Sequence, residues 1–355
     1  MKILFYINVL SNGGAERVMA NLANGFIHDH QIIMVNSFSM PKEYPLNESI
    51  KHYYLEDTEL KQGFLKKNAF RIRKLKEIIK TERPDITISF MAEPNFRLIL
   101  ANLFTKTKTI VSVRNDPNRE YPNFVFKFLA KLLYRFADGI VFQTQDAQKW
   151  FPKHIQKKSV IIYNPVKDSF YCKECGNVNS GIVAVGRLTK QKNHLMLINA
   201  YEAIADKVED DLFIYGEGEL RKDLESRISE LDHSSRVHLM GNQSDIESLI
   251  KDSKLFVMPS LYEGMPNSLM EAMALGLPCL STDCPCGGPR ELLVSDYLVP
   301  VGDQGALERE MVKICNNPDL LEQMSLENKS KAEQFQLSEI IKSWYAFIGI
   351  TLNRQ

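Results

Sequence analysis

The sequence predicts an α/β protein with two doubly wound domains, because short apolar runs alternate with longer amphipathic segments along most of its 355 residues. Such a β-α-β-α order produces a mostly parallel sheet with helices on both faces. The alternation stops near residue 167 and restarts at residue 181, which indicates a domain boundary. A chain of this length is also long enough for two ordinary domains.

The first predicted domain covers residues 1–167. Its first helix is predicted over Ala15–Phe26, where Val18, Leu22 and Phe26 recur on one helical face. Apolar runs between turn signals predict its strands. These predicted strands are Met1–Val9, Ile32–Val35, Asp85–Phe90, Thr109–Val113, Gly139–Gln143 and Val160–Tyr163.

The second predicted domain covers residues 168–335 and follows a predicted linker, Lys167–Ser180, which is polar and has no periodicity. Its predicted strands are Gly181–Gly186, Asp211–Tyr215, Val237–Met240, Leu255–Pro259 and Pro278–Ser281. Its predicted helices are His194–Ala205, Glu219–Leu231, Ile246–Asp252 and Ser268–Leu275. The tail, residues 336–355, contains an amphipathic helix, Leu337–Leu352, that we expect to pack back on the first domain.

The composition is that of a globular protein, with 44% apolar and 25% charged residues. The formal net charge of zero conceals an asymmetry between the two halves. Residues 1–165 carry 25 Lys and Arg against 15 Asp and Glu, and the remaining residues carry 19 against 29. The first half is therefore net +10 and the second net −10. This asymmetry indicates that the first half meets an anionic partner or surface.

The sequence predicts neither a secretory signal nor a membrane-spanning helix. The apolar run Ile3–Leu10 leads into Gly13 and Gly14 rather than a cleavage site, and no apolar run reaches about 18 residues. Six cysteines in a chain of this length indicate a reducing compartment. Neither close cysteine pair has the repeated spacing of a zinc ribbon, so we expect no metal site. These pairs are Cys172 with Cys175 and Cys284 with Cys286.

The stretch from Tyr262 to Glu271 places two carboxylates eight residues apart. Glu263 follows an apolar strand and precedes Gly264, a residue that lets a ligand approach the backbone. Ser268 and Glu271 fit a capping box, so Glu271 could cap its helix as well as bind a ligand. Amides at a helix N-terminus favour anions. The amides in question are those of Met265 and Asn267–Leu269.

The loop Gly186–Asn193 follows the first predicted strand of the second domain. Arg187 offers a planar fork and Lys192 a point charge, which is a complementary pair for a diphosphate. Asn193 could cap the helix that follows. The alternative is a solvated basic loop, because surface Lys and Arg are common.

Three further loops give weaker signals when each is taken alone. Ser11–Arg17 contains two glycines that open a helix, and Gly216–Gly218 fits a tight turn with close backbone approach. Arg114 and Asn115 follow a strand of the first domain. The alternatives are an ordinary strand-to-helix turn for the glycine loops and a surface arginine for Arg114.

Together these loops resemble the retaining glycosyltransferases of family 4, which have the GT-B fold. The resemblance covers most of the chain, and its specificity comes from the order of the motifs. It implies two Rossmann-like domains facing a central cleft, with ligands outside the carboxyl ends of the strands. The motifs are Gly13–Arg17, Asn164-Pro165, Gly186-Arg187 with Lys192-Asn193, Gly216–Gly218, and the E-x7-E pair Glu263 and Glu271.

The resemblance also implies roles for these residues. Arg187 and Lys192 would hold the donor diphosphate and stabilise the leaving nucleoside diphosphate without a metal. Glu263 would contact the transferred sugar, Glu271 the ribose, and Gly241–Ile246 would lie near the base. The other expected donor-binding residues are Gly14, Gly216, Gly264, Met265, Pro266, Asn267, Ser268 and Leu269.

The acceptor side departs from the family pattern. Many relatives carry a histidine in the first-domain loop where this chain has Arg114, which argues against a histidine proton relay. Arg17, Arg114 and Asn115 are the candidates for contacts to the acceptor or to a phosphate.

Two segments of the first domain predict basic amphipathic helices. Lys61–Arg83 holds nine basic and two acidic residues, and Phe124–Phe136 has Lys127, Lys131 and Arg135 at i, i+4 and i+8 without an acid. Such helices suit an anionic membrane surface. The alternative is a core-facing helix with a solvated basic stripe.

The predicted function is transfer of a hexose or N-acetylhexosamine from a nucleotide sugar, expected to be UDP-linked, to a saccharide acceptor. The resemblance implies a lipid-linked acceptor and a role in surface polysaccharide, lipopolysaccharide or capsule synthesis. We expect retention of configuration, no cofactor or metal, and a cytoplasmic enzyme peripheral to the inner face of the cell membrane. A nucleotide-sugar epimerase of the same fold and a catalytically silent sugar- or membrane-binding scaffold stay open as alternatives. Nucleic-acid binding is not expected, because the basic segments lack interleaved aromatics of a known module.

Overall fold

The computed structural model describes residues 1–11, 13–56, 63–171 and 181–354. The chain divides into two compact units. The N-terminal unit consists of residues 1–165 and 337–355, and the C-terminal unit consists of residues 166–336. In each unit, all strand pairs of the described residues are parallel.

The N-terminal unit has a sheet of seven described strands in the order β3-β2-β1-β4-β5-β6-β7. The strands are β1 Lys2–Ile7, β2 Gln31–Asn36, β3 Lys51–Tyr54, β4 Ile86–Phe90, β5 Lys108–Ser112, β6 Gly139–Phe142 and β7 Ser159–Ile161. The helices between them are α1 Gly14–Phe26, α2 Phe64–Glu82, α3 Ala92–Asn102, α4 Pro117–Glu120, α5 Phe124–Leu133, α6 Gln145–Lys149 and α7 Lys153–Gln156. A 3-10 helix, Tyr134–Phe136, follows α5.

The C-terminal unit has a sheet of six described strands in the order β10-β9-β8-β11-β12-β13. The strands are β8 Ile182–Val185, β9 Leu212–Tyr215, β10 Val237–Gly241, β11 Leu255–Met258, β12 Cys279–Thr282 and β13 Leu298–Val299. The helices are α8 His194–Ile204, α9 Arg221–Ser229, α10 Ile246–Ile250, α11 Asn267–Ala274, α12 Gly288–Leu292, α13 Gln304–Cys315 and α14 Pro318–Ala332. Five 3-10 helices join them: Asp168–Phe170, Ala205–Lys207, Ser234–Arg236, Ser295–Tyr297 and Glu333–Phe335.

The last helix, α15 Leu337–Asn353, belongs to the N-terminal unit. Trp344 is fully buried, and its ring stacks on Phe90 of β4 with 5.9 Å between centroids. The Tyr345 ring lies 4.7 Å from that of Phe26, the last residue of α1. Aromatic burial of this kind fixes the tail helix against the first sheet.

The structure contains each predicted strand and adds two edge strands, β3 and β13, that the sequence did not predict. Side chains of β3 are all at least partly exposed and β13 has two residues, so neither produces an apolar run. The predicted linker is also partly wrong, because Asp168–Phe170 forms a 3-10 helix with Phe170 buried. Cys172, Cys175 and the rest of 172–180 lie outside the described residues, as does Asn12.

Candidate active site

Two loops of the C-terminal unit lie side by side because the strands that precede them, β8 and β11, are neighbours in the sheet. Gln191 joins the loops twice. Its carbonyl accepts from the amide of Leu261 at 2.8 Å, and its Nε2 donates to the carbonyl of Tyr262 at 2.9 Å. Sequence reasoning missed Gln191, since a single glutamine in a basic loop carries no pattern of its own.

The two loops bring Lys192 and Glu263 into direct contact. Lys192 Nζ lies 2.7 Å from Glu263 Oε1, with the two side chains only 15% and 9% exposed. Ser260 Oγ donates to the same oxygen at 2.8 Å. Within the described part of the chain, Glu263 Oε2 has no hydrogen-bond partner. The carboxylate is therefore held through one oxygen and can accept hydroxyl donors through the other.

Arg187 is exposed, and no side-chain partner is seen for it among the described residues. It lines a cavity of about 350 Å³ at the carboxyl ends of β8 and β9. The other lining residues are Val185, Gly186, Tyr215, Gly216, Glu217, Asn242, Gln243 and Ile246. An unpaired guanidinium beside a cavity of mixed polarity suits a ligand with an anionic group and a flat ring.

The glycines after β9 allow the two strand-end turns to pack closely. A Cβ atom at Gly216 would lie 2.0 Å from the carbonyl oxygen of Gly186, and one at Gly218 would lie 2.4 Å from that of Leu188. Gly216 also has a φ of +145°, which L side chains rarely adopt. Glycine is therefore required here by backbone packing, which shapes the cavity wall.

The predicted capping box at α11 is wrong. The helix begins at Asn267, and Pro266 occupies the N-cap position without a side-chain hydrogen bond. The amide of Met270 donates to the carbonyl of Pro266 at 3.2 Å, so Ser268 already lies inside the first turn. Glu271 lies more than a turn from the helix start and is buried at 8% exposure. The helix therefore starts earlier than the capping box requires, and Ser268 is not at the N-cap.

Asn193 occupies the N-cap position of α8, as predicted, but it does not cap the helix. Its φ is +52°, and its side-chain amide points to the sulfur of Met196 at 3.5 Å rather than accepting from a backbone amide. The predicted capping bond is therefore wrong, because the left-handed backbone turns the side chain away.

His194, the first residue of α8, is buried beside this loop at 4% exposure. Burial, helped by the charge of Lys192, lowers the pKa of its imidazole to about 4. The nearby carbonyls of Gly186 and Arg187 oppose this shift, yet neither forms a hydrogen bond of normal geometry with the ring. A neutral imidazole therefore supports the loop without adding charge beside Lys192.

The candidate residues of the N-terminal unit are placed at the start of α1 and after β5. Gly14 is the exposed first residue of α1, and the amide of Arg17 donates to the carbonyl of Gly13 at 3.1 Å. Asn115 is exposed, and its Oδ1 accepts from the amide of Asp116 at 2.8 Å. Gly14 and Asn115 are therefore both accessible to solvent, whereas Arg17 is partly buried.

Arg114 is half-buried, so its interpretation as an ordinary surface arginine is wrong. Its guanidinium lies 4.2 Å over the ring of Phe90 and donates to Asn164 Oδ1, which also accepts from Gln143. Burial lowers the pKa of Arg114, but a guanidinium stays charged at neutral pH. No carboxylate in the described ranges forms an ion pair with it. This arrangement leaves a fixed cation at the strand ends.

No group of three or more His, Cys, Asp or Glu side chains among the described residues is arranged to hold a metal ion. None of the helices in these described ranges has the length and hydropathy needed to cross a bilayer.

Two parallel α/β units, with a cation and a carboxylate paired at the strand ends of the second, are the arrangement expected of a two-domain glycosyltransferase with the GT-B fold. A family model described as "Glycosyltransferase Family 4" matches residues 12–170, and one described as "Glycosyl transferases group 1" matches residues 179–317. The two matches together span most of the chain, which therefore belongs to the family 4 glycosyltransferases.

Individual relatives match the chain over nearly its full length. One is the "GalNAc-alpha-(1->4)-GalNAc-alpha-(1->3)-diNAcBac-PP-undecaprenol alpha-1,4-N-acetyl-D-galactosaminyltransferase" of Campylobacter jejuni, 24% identical over 99% of both chains. Another is the "N-acetylgalactosamine-N,N'-diacetylbacillosaminyl-diphospho-undecaprenol 4-alpha-N-acetylgalactosaminyltransferase" of the same species, 27% identical over 96% of this chain and 97% of that protein. The structure of Anabaena HepE in complex with UDP has a TM-score of 0.82 at 18% identity, covering 99% of this chain and 100% of that one.

Proposed function

We propose that this glycosyltransferase transfers a hexose or N-acetylhexosamine from a UDP-linked donor to a lipid-linked saccharide in the synthesis of a surface glycan. The observation that carries the proposal is the contact of Lys192 Nζ with Glu263 Oε1 at 2.7 Å. A nucleotide sugar joins an anionic phosphate directly to a hydroxyl-bearing ring. Adjacent cation and carboxylate side chains match those two adjacent groups.

The cavity beside Arg187 suits the nucleotide end of the donor. Arg187 lies beside the cavity of about 350 Å³, where a base and ribose would bind while the guanidinium contacts the diphosphate. The choice of UDP rests on the HepE complex, and the choice of an N-acetylhexosamine rests on the names of the two Campylobacter relatives. Both relatives' names also contain a diphospho-undecaprenol-linked acceptor.

We infer a retaining, metal-independent reaction. The bond between the anomeric carbon and the phosphate oxygen breaks, and the nucleoside diphosphate leaves with the electron pair. The acceptor hydroxyl oxygen bonds to the anomeric carbon on the same face, and its proton passes to the departing phosphate oxygen. Arg187 and Lys192 would stabilise the charge that develops on the leaving group, which is the task a metal ion performs elsewhere.

The acceptor would reach the N-terminal unit from a membrane. Helix α2 follows β3, and α5 follows β5 and the short helix α4, so both come after the carboxyl ends of parallel strands; α3 contacts both. Their first residues are exposed and apolar: Phe64, Leu65, Phe124 and Val125 are 56%, 81%, 81% and 61% exposed. Basic residues accompany them, namely Lys66, Lys67, Lys127 and Lys131. This edge, which also bears Arg114, suits an anionic bilayer surface.

We therefore propose a peripheral enzyme on the cytoplasmic face of the cell membrane. Flotation with vesicles tests this. Binding to vesicles that contain anionic lipid, weakened by salt, is the expected result. Equal recovery with neutral vesicles, or no recovery at low salt, would contradict it.

The activity is tested by incubating the protein with a panel of nucleotide sugars, with and without a diphospho-polyprenol-linked saccharide. We expect thermal stabilisation by one UDP-sugar and transfer that depends on the acceptor. Interconversion of the donor sugar without acceptor would instead establish the epimerase alternative. Neither stabilisation nor turnover across the panel would establish the scaffold alternative.

The same assay tests stereochemistry and metal independence. The product should have the anomeric configuration of the donor by NMR, and EDTA should leave the rate unchanged. Inversion, or loss of rate that Mg²⁺ restores, would contradict the proposed reaction.

A further inference from the structure

A buried serine that no motif singled out lies behind the Glu263 carboxylate. We propose that Ser260 is a positioning residue that fixes Glu263 for contact with the donor sugar; the inference rests on the glycosyl transfer proposed above. Ser260 is fully buried, two residues after the end of β11 and three before Glu263. Its Oγ lies 2.8 Å from Glu263 Oε1, and the hydroxyl must donate because an ionised carboxylate only accepts.

Ser260 is itself anchored to the neighbouring strand. Its backbone carbonyl accepts from the hydroxyl of Thr282 at 2.6 Å, and Thr282 is the fully buried last residue of β12. A short chain of hydrogen bonds thus runs from the sheet through Ser260 to the carboxylate. Side chains held in this way keep their orientation in the absence of substrate, which is the requirement for a preorganised contact.

The two donors on Glu263 Oε1 differ in what else they can do. Lys192 is a flexible side chain whose ammonium would also contact the donor phosphate. Ser260 Oγ is seen with no other partner in the described ranges, and it cannot leave the core. When Lys192 turns toward a phosphate, Ser260 therefore still holds the carboxylate. Glu263 Oε2 then stays directed at the sugar.

The surroundings make this hydrogen bond difficult to replace. Glu263 is 7% exposed, and the fully buried Cys284 lies close enough for the Glu263 charge to contribute to raising the pKa of its thiol. Burial is the main cause of that rise, to about 12, so the neighbouring thiol is neutral. In such a site, water cannot easily replace the hydrogen bond that Ser260 donates, and a misplaced Glu263 carboxylate lowers the reaction rate.

The experiment compares Ser260→Ala with Ser281→Ala. Ser281 is an equally buried serine of β12, and its Oγ donates to the carbonyls of Met258 and Thr282 instead of a site residue. Transfer kinetics and the affinities for UDP and for the active UDP-sugar are measured for both variants. If Ser260 only positions Glu263, its loss weakens binding of the sugar end of the donor and leaves UDP affinity unchanged. If Ser260 has a purely structural role, its loss weakens UDP binding as well.

For Ser260→Ala we expect kcat to fall roughly 10- to 100-fold, as for a small misplacement of a site residue. UDP affinity should stay within about twofold of the wild type, while the extra affinity of the UDP-sugar over UDP is lost. Ser281→Ala should change none of these quantities. A parallel loss of UDP affinity in Ser260→Ala, or an unchanged kcat, would overturn the inference.

A second comparison uses Glu263→Gln as the background. If Ser260 acts through Glu263, adding Ser260→Ala to Glu263→Gln should leave UDP-sugar affinity unchanged. A further loss would show that Ser260 acts by another route and would overturn the inference. Failure of the proposed function would be distinguishable, because the wild-type protein would then transfer no sugar.

Discussion

The carboxyl edges of the two sheets differ in what lies beside their strand-end loops. In the C-terminal unit the strand-end loops are bonded to one another, through Gln191 with Tyr262 and Lys192 with Glu263. In the N-terminal unit the helices that begin at this edge expose apolar side chains, among them Leu65 and Phe124 at 81% each. The C-terminal edge is braced through its charged site residues. The N-terminal edge, whose loops Asn164 joins to Arg114 and Gln143, exposes apolar side chains and is the open edge.

The difference indicates a division of labour. A donor has a fixed shape, and the atoms of its scissile bond must be held closely, so a braced site suits it. A lipid-linked acceptor arrives at a fluid surface, for which exposed apolar and basic side chains suffice. Substitutions at the carboxyl edge of the C-terminal unit should therefore change catalysis. Substitutions at that of the N-terminal unit should change membrane affinity.

The largest expected effect is that of Glu263→Gln. This change keeps the size of the side chain but removes the charge that Lys192 and Ser260 contact and weakens the acceptor directed at the sugar. We expect transfer to fall by roughly 10³-fold or more, with little change in the unfolding temperature, because the proposed contact is with the reacting part of the donor. Steady-state transfer and thermal unfolding measure the two quantities.

The matched control for this change is Glu225→Gln, at a helix-surface carboxylate that is 50% exposed and paired with Arg221. It should leave turnover within about twofold, as expected for an exposed ion pair. A fully active Glu263→Gln would remove Glu263 from the sugar site.

The second effect is that of Arg187→Ala. Arg187 has no side-chain partner among the described residues, so its loss should affect the ligand and leave stability unchanged. We expect turnover to fall by roughly 10²- to 10³-fold, as for loss of a charge contact in the transition state. Lys190→Ala is the control, since Lys190 is an exposed cation of the same loop without an assigned role. Equal, small decreases in turnover for Arg187→Ala and Lys190→Ala would show that only the net charge of the loop affects the reaction.

Lys192→Ala tests whether Lys192 acts on the donor phosphate or through Glu263. It should lower turnover by roughly 10²–10³, as for Arg187→Ala, and it leaves Ser260 as the only donor on Glu263 Oε1. Because Ser260 still holds the carboxylate, the UDP-sugar should keep its extra affinity over UDP in both variants. Loss of that extra affinity in Lys192→Ala alone would contradict the assignment of Lys192 to the phosphate.

The sequence singled out the charged candidate residues of the C-terminal edge, but not the residues that hold them in place. Glu263, Arg187 and Lys192 follow apolar strands, where a charged residue in a glycine-containing loop is informative. Ser260 and Gln191 carry no such pattern, and their roles depend on partners from another loop. The capping box failed because α11 begins at Asn267, before Ser268. The burial of Arg114 could not be predicted, since Phe90 and Asn164 are distant in sequence.

The third effect concerns the open edge of the N-terminal unit. Replacing both Phe124 and Phe128, which are 81% and 56% exposed one turn apart on α5, by serine should weaken binding to anionic vesicles. Each buried phenylalanine contributes about 1.5–3 kcal/mol, so a loss of at least about tenfold is expected. Leu326→Ser, at a 62% exposed residue of the C-terminal unit, is the control. Equal vesicle binding by the double variant would exclude α5 from the membrane contact.

The smallest expected effect is a pH dependence of the free energy of unfolding that is caused by His194, beside the braced loop. The pKa of His194 is lowered to about 4 by burial, against an ordinary value of 6.5. Between these values the unfolded chain binds a proton that the folded chain does not, so the free energy of unfolding falls as pH decreases from 6.5 to 4. Above pH 6.5 this contribution is fully retained. At pH 5.5 the loss relative to pH 7.5 should be about 1 kcal/mol.

The test compares the pH slope of His194→Gln with that of the wild type by denaturant unfolding. The variant lacks the titrating imidazole and should have the flatter slope between pH 7.5 and 5.5, whatever its absolute stability. Glu120 titrates in the opposite sense, because burial raises its pKa to about 8 and its contribution is lost as pH rises. Only the difference between the two proteins at each pH therefore isolates His194. An unchanged slope in His194→Gln would show that the imidazole is not held neutral beside Lys192.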